Sequence, residues 1–412
     1  SELLPEGFAC PHCGGHGFTK ETNTLDGWFD SGSTHFAVLE DHTEDGMVWP
    51  ADMYLEGGDQ FRGWFQSSLL TAVGAKGQGA PYREVLTHGW VVDGEGRTMH
   101  KSLGNGVDPD DMVRKYGADI VRLWAASSDY HADVRCSDAI FRRLSETYRK
   151  IRNPDADAVP AERLHEIDKW ILSRLNDLIR VCRAGYDGYE FHTVTHAVSN
   201  FCTNELSKLY VDITKDRLYT EGKTSEERRC AQTAMYTVVS ALTRLIAPIL
   251  AFTAEEIWKN MPHRAGEKTE SVFLNPMPEA DGAYACPELT AHWDRLFALR
   301  DGVMKALELA RANKMIGKSL DAKVTVFTPD EAQAALLESF ADTLNLIFIT
   351  SQASVVRGEA PEGAYTDPDT GVSVLVEPAD GRKCDRCWTF VTDGTEVGDG
   401  YLCPRCRRVV GC

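Results

Sequence analysis

Residues 94–105 read GEGRTMHKSLGN. A glycine-rich approach to a Lys-Ser pair, Lys101 and Ser102, suits a triphosphate. Lysine is a compact cation that can follow charge as it builds on a leaving pyrophosphate. Alone this is a weak signal, because a loop lysine is usually just solvated, but the flanks give it a setting. Upstream, Leu86 followed by Trp90, Val91 and Val92 reads as one strand, closed by the turn Asp93-Gly94. Downstream, Asp108-Pro109-Asp110-Asp111 reads as a helix start, with a capping aspartate, proline in the first turn and acids near the positive helix end. A loop between strand and helix, within short apolar runs and glycine-rich loops, makes residues 1–135 α/β.

From 136 to 262 the pattern is all-α. Ile167, Trp170, Ile171, Leu175, Leu178 and Cys182 recur at three- and four-residue spacing, as do Val194, Val198, Phe201, Leu206, Leu209 and Ile213. A third helix covers 231–250 and a fourth begins near Thr253. Each has one apolar face, so the four should pack as a bundle. Residues 263–380 read as a linker and a small α/β junction. They hold a helix near 292–313, strands at 324–327 and at Leu346-Ile347-Phe348-Ile349, and a loop over 358–381. Residues 381–412 form a cysteine module.

The chain has 412 residues and a net charge of −18, which argues against a general nucleic-acid coat. Basic residues nevertheless cluster at Arg142, Arg143, Arg149, Lys150 and Arg152, and again at Arg382, Lys383, Arg386, Arg405, Arg407 and Arg408. Either cluster could be a solvated face or a strip that meets RNA phosphates. The most apolar stretch, 235–252, contains Arg244 and Pro248 and reads as a buried amphipathic helix, with no membrane span expected. No secretory signal opens the chain, which makes a cytoplasmic location the expectation. Residue 1 is serine, and the chain reads as part of a longer product.

Two pairs of cysteines, Cys384-x2-Cys387 and Cys403-x2-Cys406, are separated by fifteen residues. Each pair can form a knuckle presenting two thiolates. Four thiolates at tetrahedral corners suit one zinc ion and leave no open position, so the site should be structural. An iron–sulfur cluster and free thiols are the alternatives. A module this short has little apolar content, so the metal would supply its folding energy. Cys10 and Cys13 form another knuckle, half of a second metal site. It is either completed from outside this sequence or left without metal.

Several stretches together resemble the class I aminoacyl-tRNA synthetases. Their second signature is Lys-Met-Ser-Lys-Ser before Leu/Ile-Gly-Asn, and here it stands as Thr98-Met99-His100-Lys101-Ser102-Leu103-Gly104-Asn105. The first lysine is Thr98 and the first serine His100, while the second lysine is kept as Lys101. Arg97 is a candidate for the missing charge. Residues 25–33 (LDGWFDSGS), 55–65 (LEGGDQFRGWF), 86–89 (LTHG) and 117–124 (GADIVRLW) are similar to the isoleucine-specific branch, as is the cysteine module. The valine and leucine branches fit Asp59-Gln60 and Arg62-Gly63-Trp64 less well. After Asn153 the family continues a helix, where this chain has Pro154, which does not easily continue one.

The resemblance implies a partial Rossmann-type catalytic domain, an anticodon-binding helical bundle, a junction domain and a zinc module. It implies that Lys101 is catalytic and, with Ser102, binds ATP. It implies that Glu56 and Gly57 hold the isoleucyl-adenylate, with Asp59 and Gln60 on its ribose and adenosine side. Trp28 and Trp64 would wall the isoleucine pocket; the bland alternative for both is ordinary core. The implied reaction is ATP-dependent activation of isoleucine, with Mg2+, and transfer to tRNA(Ile), by a monomer. The other class signature, His-x-Gly-His, and an editing domain do not occur in these residues. The polypeptide by itself is therefore expected to be inactive, with a non-catalytic tRNA-binding fragment or paralogue as the rival.

Overall fold

A computed structural model describes residues 4–77, 79–131, 134–135 and 159–411. The basic run from Arg142 to Arg152 and the Pro154 break lie outside the described residues. Two compact units emerge: one of residues up to 106 with 130–135, the other of 107–129 with everything from 159 onward.

The first unit is mixed α/β. Strands β1 (Ala51–Gly57) and β2 (Tyr82–His88) pair in parallel, with Glu56 opposite Thr87 and Gly57 opposite His88. The helix Trp64–Lys76 connects them, as parallel pairing requires a long crossover. It ends at Gly77, whose positive φ lets its N–H turn back to the Val73 carbonyl. Beside it lies the short helix Gly27–Gly32, capped by the Asp26 carboxylate on the Trp28 N–H. These two helices touch through Gly32, where a Cβ would stand 2.5 Å from the Ser67 hydroxyl and 2.7 Å from its backbone.

The expected single strand across 86–92 is two. β2 stops at His88, the Gly89 N–H turns to the Tyr130 carbonyl, and Val91–Val92 (β3) pairs in parallel with Val134–Arg135 (β4). The helix start at Asp108 stands as read: Pro109–Tyr116 begins there, with the Asp108 carboxylate accepting from Asp110 N–H at 2.9 Å.

The second unit is helix-rich. Helix Glu166–Asp187 buries Ile167, Trp170, Ile171, Leu175, Leu178 and Cys182, the face its spacing marks out. Phe191–Asn200 runs on through a π-helical stretch, Phe201–Val211, into Asp212–Thr220. Glu226–Ile246 and Ala251–Asn260 complete the bundle. At its centre the fully buried Asp168 carboxylate accepts from Tyr210 Oη at 2.7 Å and from both terminal nitrogens of Arg217, at 2.7 and 3.0 Å. Breaking such a pair strands a buried charge. Asp168→Ala is therefore expected to cost about 3–5 kcal/mol in urea unfolding, and Asp168→Asn, which keeps one acceptor oxygen but turns an NH2 donor toward the guanidinium, somewhat less.

Helix Pro287–Ala312 leads into a four-stranded sheet, ordered β6 (Gln352–Arg357), β5 (Ala322–Thr328), β8 (Ser373–Pro378), β7 (Tyr365–Thr366). β5 alternates buried and half-buried residues, as a sheet with one packed face should. Two expectations fail here. Leu346–Ile349 is no strand: Leu344–Phe348 is a helix that buries Leu344, Ile347 and Phe348 and closes at Ile349 with a left-handed φ of 59°. Short apolar runs do not distinguish strand from helix by pattern, and the core decided. The expected loop 358–381 holds β7 and β8, because Val374 and Val376 face the same core as β5. No helix among the described residues is long and apolar enough to cross a membrane.

Candidate functional site

In the first unit the sequence-nominated residues gather at the carboxyl end of β1, where open parallel sheets present ligand sites. Glu56 and Gly57 are the last residues of the strand, and Asp59 and Gln60 lie in the 3-10 turn that follows it. The Gln60 side-chain oxygen accepts the Trp64 N–H at 3.1 Å, and its amide nitrogen donates to Asp59 at 3.3 Å. Gly57 is flanked by the Asp59 carboxylate and the His88 ring, 2.7 and 3.6 Å from where a Cβ would stand. Gly63 is covered by Gln60 and the Trp28 indole in the same way, at 2.5 and 3.3 Å. Trp28, Gly57, Asp59, Gln60, Gly63 and Trp64 thus form one cluster, with Glu56 and Asp59 exposed to solvent.

The two tryptophans differ. Trp64 stacks on Tyr54 with centroids 4.1 Å apart, and its indole N–H donates to the Ser31 carbonyl at 3.0 Å. Trp28 is 46% exposed and offers free apolar surface. Tyr54 and His88 were not singled out from sequence. For His88 a signal existed in the LTHG stretch, where it ends the strand paired with β1.

The Lys101 loop is held from its base. Asp93 accepts from the backbone N–H of Glu95 and Arg97, from Arg97 Nε at 2.9 Å and from the Asn105 amide at 2.9 Å. Asn105, foremost, and these other donors hold the Asp93 carboxyl well below the usual range. Asn105 also accepts the His100 N–H and donates to the Thr98 carbonyl, so it closes the loop from inside. Lys101 opens a 3-10 turn, Lys101–Leu103, and Ser102 is exposed on it. Arg97 pairs with Asp93 and with Glu95 at 3.1 Å, so its charge is already engaged within the loop.

In the second unit, the 117–124 stretch has a structural task. Asp119 accepts the N–H groups of Phe252 and Thr253 and so caps helix Ala251–Asn260, while Arg122 donates to the carbonyls of Pro248 and Ile249.

Cys384, Cys387, Cys403 and Cys406 are all buried, with their sulfurs within 4.8 Å of one another. Cys387 and Cys403 sulfurs lie 3.7 Å apart, far beyond a disulfide bond. Tetrahedral Zn–S bonds of about 2.3 Å would put sulfurs about 3.8 Å apart, so this donor set fits zinc. Backbone N–H groups point at the sulfurs, Cys403 to Cys384 at 3.3 Å and Cys406 to Cys403 at 3.4 Å. Burial raises the Cys384 thiol, but the N–H groups of Cys387, Cys403 and Arg386 outweigh it and bring it down to about 6. Apart from the half-buried Val391 and Leu402, the module's core is the cysteines themselves. Cys10 and Cys13 form a turn closed by Gly14 N–H to the Cys10 carbonyl, and among the described residues they belong to no group of three or more metal-ligating side chains.

The module's basic cluster does not face outward as a set. Arg386 donates to the Thr220 carbonyl, and Arg405 makes a two-point pair with Asp216. Arg382 pairs with Glu396 and lies 4.7 Å over the Tyr401 ring, and Arg407 donates to Thr395.

Residues 6–137 match the model of the class I tRNA synthetases (I, L, M and V), and residues 168–326 that of the anticodon-binding domain of tRNA ligases. The chain belongs to the class I tRNA synthetases. The synthetase chain is 47% identical, over 98% of its length, to the isoleucine–tRNA ligase of Thermoanaerobacter sp. strain X514, of which it covers 44%. It is 48% identical over 99% of its length to that of Syntrophotalea carbinolica, covering 45%. The chain therefore spans under half the length of these relatives. A leucyl-tRNA synthetase structure from Agrobacterium radiobacter covers 68% of the chain, and 36% of its own length, at 21% identity and TM-score 0.49. A methionyl-tRNA synthetase from Mycobacterium tuberculosis covers 62%, and 55% of its own, at 20% and TM-score 0.46.

Proposed function

We propose that these residues form part of an isoleucine–tRNA ligase, acting as a cytoplasmic monomer that activates isoleucine with ATP and Mg2+ and transfers it to tRNA(Ile). The observation that carries this reading is the cluster at the end of β1. An exposed indole, two exposed carboxylates and a glutamine lie there around two glycines whose missing side chains let Asp59, Gln60 and Trp28 close over the backbone. Trp28 offers its open face to the branched alkyl chain and Trp64 backs it from the stack on Tyr54. Glu56 and Gly57 hold the adenylate, and Asp59 and Gln60 accept from and donate to its ribose and adenosine side. Lys101 and Ser102 meet the phosphates, so the lysine's charge acts where the leaving pyrophosphate gains it. The all-α bundle carries the tRNA, and the four-cysteine module holds one structural zinc ion. Cys10 and Cys13 form a knuckle that suits half of a second metal site, the alternative being a pair left without metal.

An apolar pocket of this kind separates isoleucine from valine by only about 1–3 kcal/mol, a limit for which this class of enzyme is the standard example. Two polypeptides test the reading. The 412 residues alone are expected to give no isoleucine-dependent ATP–pyrophosphate exchange above a boiled control, since they hold no His-x-Gly-His. The same residues joined to the His-x-Gly-His half of a relative are expected to restore exchange. Exchange by the 412 residues alone would contradict the first expectation. A folded but inactive chimera that still binds tRNA would favour a non-catalytic RNA-binding role.

A further inference from the structure

Each zinc knuckle carries an arginine at the same place, immediately before its second cysteine: Cys384-Asp385-Arg386-Cys387 and Cys403-Pro404-Arg405-Cys406. Both arginines reach one helix, Asp212–Thr220, Arg386 at its end and Arg405 at its middle. Arg386 donates to the Thr220 carbonyl, one of the acceptors a helix leaves unpaired at its C-terminus, and the same nitrogen lies 3.5 Å from Cys406 Sγ. Arg405 holds Asp216 through both terminal nitrogens and comes within 3.8 Å of Glu221. One residue from Asp216, Arg217 makes the two-point pair with the buried Asp168. The helix is therefore fastened to the module on one side and to the bundle core on the other.

We propose that Arg386 and Arg405 are positioning residues that tie metal occupancy of the four-cysteine module to the Asp212–Thr220 helix. The direction of each arginine is set by the knuckle it sits in, and the knuckles face each other only while four sulfurs converge on one ion. Without the ion little apolar contact keeps them together. Loss of metal therefore releases the helix end as well as the module. The module is also anchored away from this helix, where the Phe390 N–H donates to the Ser351 hydroxyl at 2.7 Å and the Lys318 ammonium lies 5.5 Å over the Trp388 ring.

Coupling of this kind is reciprocal, so the helix must also favour the metal. The test uses the zinc-loaded 412-residue chain without RNA, which keeps it independent of the tRNA reading. Backbone hydrogen exchange is followed over residues 212–221. Chelation of the wild type is expected to speed exchange there about tenfold or more. Arg386→Met with Arg405→Met is expected to keep one zinc, to exchange at the chelated rate, and to respond no further to chelator. Asp216→Asn with Glu221→Gln leaves the module's sequence untouched. It is expected to show the same fast exchange and to lower zinc affinity about tenfold in competition with a chromophoric chelator. Arg405→Lys, which keeps the charge but loses the fork, should fall between. Unchanged protection at 212–221 in chelated wild type, or unchanged zinc affinity in the helix-side variant, overturns the proposal.

Discussion

Cys403→Ser is expected to abolish the single equivalent of bound zinc and to unfold residues 381–411, read by elemental analysis and by loss of exchange protection in the module. The four cysteines are nearly the whole of the module's core, so no alternative apolar cluster survives the loss of one ligand. Structural zinc contributes about 10–16 kcal/mol in small metal-folded units, more than a module of this size recovers from burial alone. Chelation of the wild type should reproduce the effect. Isoleucine activation by a full-length enzyme carrying the change should stay near wild type, because the module belongs to a different unit from β1 and the Lys101 loop. The tRNA affinity should fall, and the fall should shrink at high salt if phosphates are what the module meets. Zinc content unaffected by Cys403→Ser would refute the ligand assignment.

Lys101→Ala in a full-length enzyme is expected to slow isoleucine activation by about 10²–10³, the usual cost of losing one group that stabilises transition-state charge. The KM for isoleucine should change little if, as proposed, the lysine serves the phosphates and not the alkyl pocket. No second lysine can substitute: residues 94–105 hold only Lys101, and the signature's first lysine is replaced by Thr98. Arg97, the sequence candidate for that charge, is engaged with Asp93 and Glu95. Single-turnover adenylate formation measures the step directly, and an unchanged rate with a raised isoleucine KM would sink the assignment.

The apolar faces of the bundle were legible because a helix face repeats within four residues, so neighbours in the chain report it. The capping Asp108 was legible for the same reason, since its partner is Asp110. Leu346–Ile349 was misread because four apolar residues carry no period, and only the core built by β5, β8 and helix Pro287–Ala312 selects a helix there. The strands within 358–381 were hidden by their glycines, prolines and acids, while the alternation of Val374 and Val376 was too short to outweigh them.

The sequence by itself determined what is encoded over short separations: the four-cysteine spacing, the helical faces, the Lys101 loop and the motif order that marks the family. Tertiary structure decided which charges remain available. Arg386 finds its acceptor 166 residues away and Arg405 its carboxylate 189 away, and Asp119 caps a helix 134 residues downstream. A run of arginines beside two knuckles reads the same whether it faces solvent or a helix. The energy that turns them inward comes from a half-buried carboxylate and an unpaired carbonyl that become neighbours only once the chain has folded.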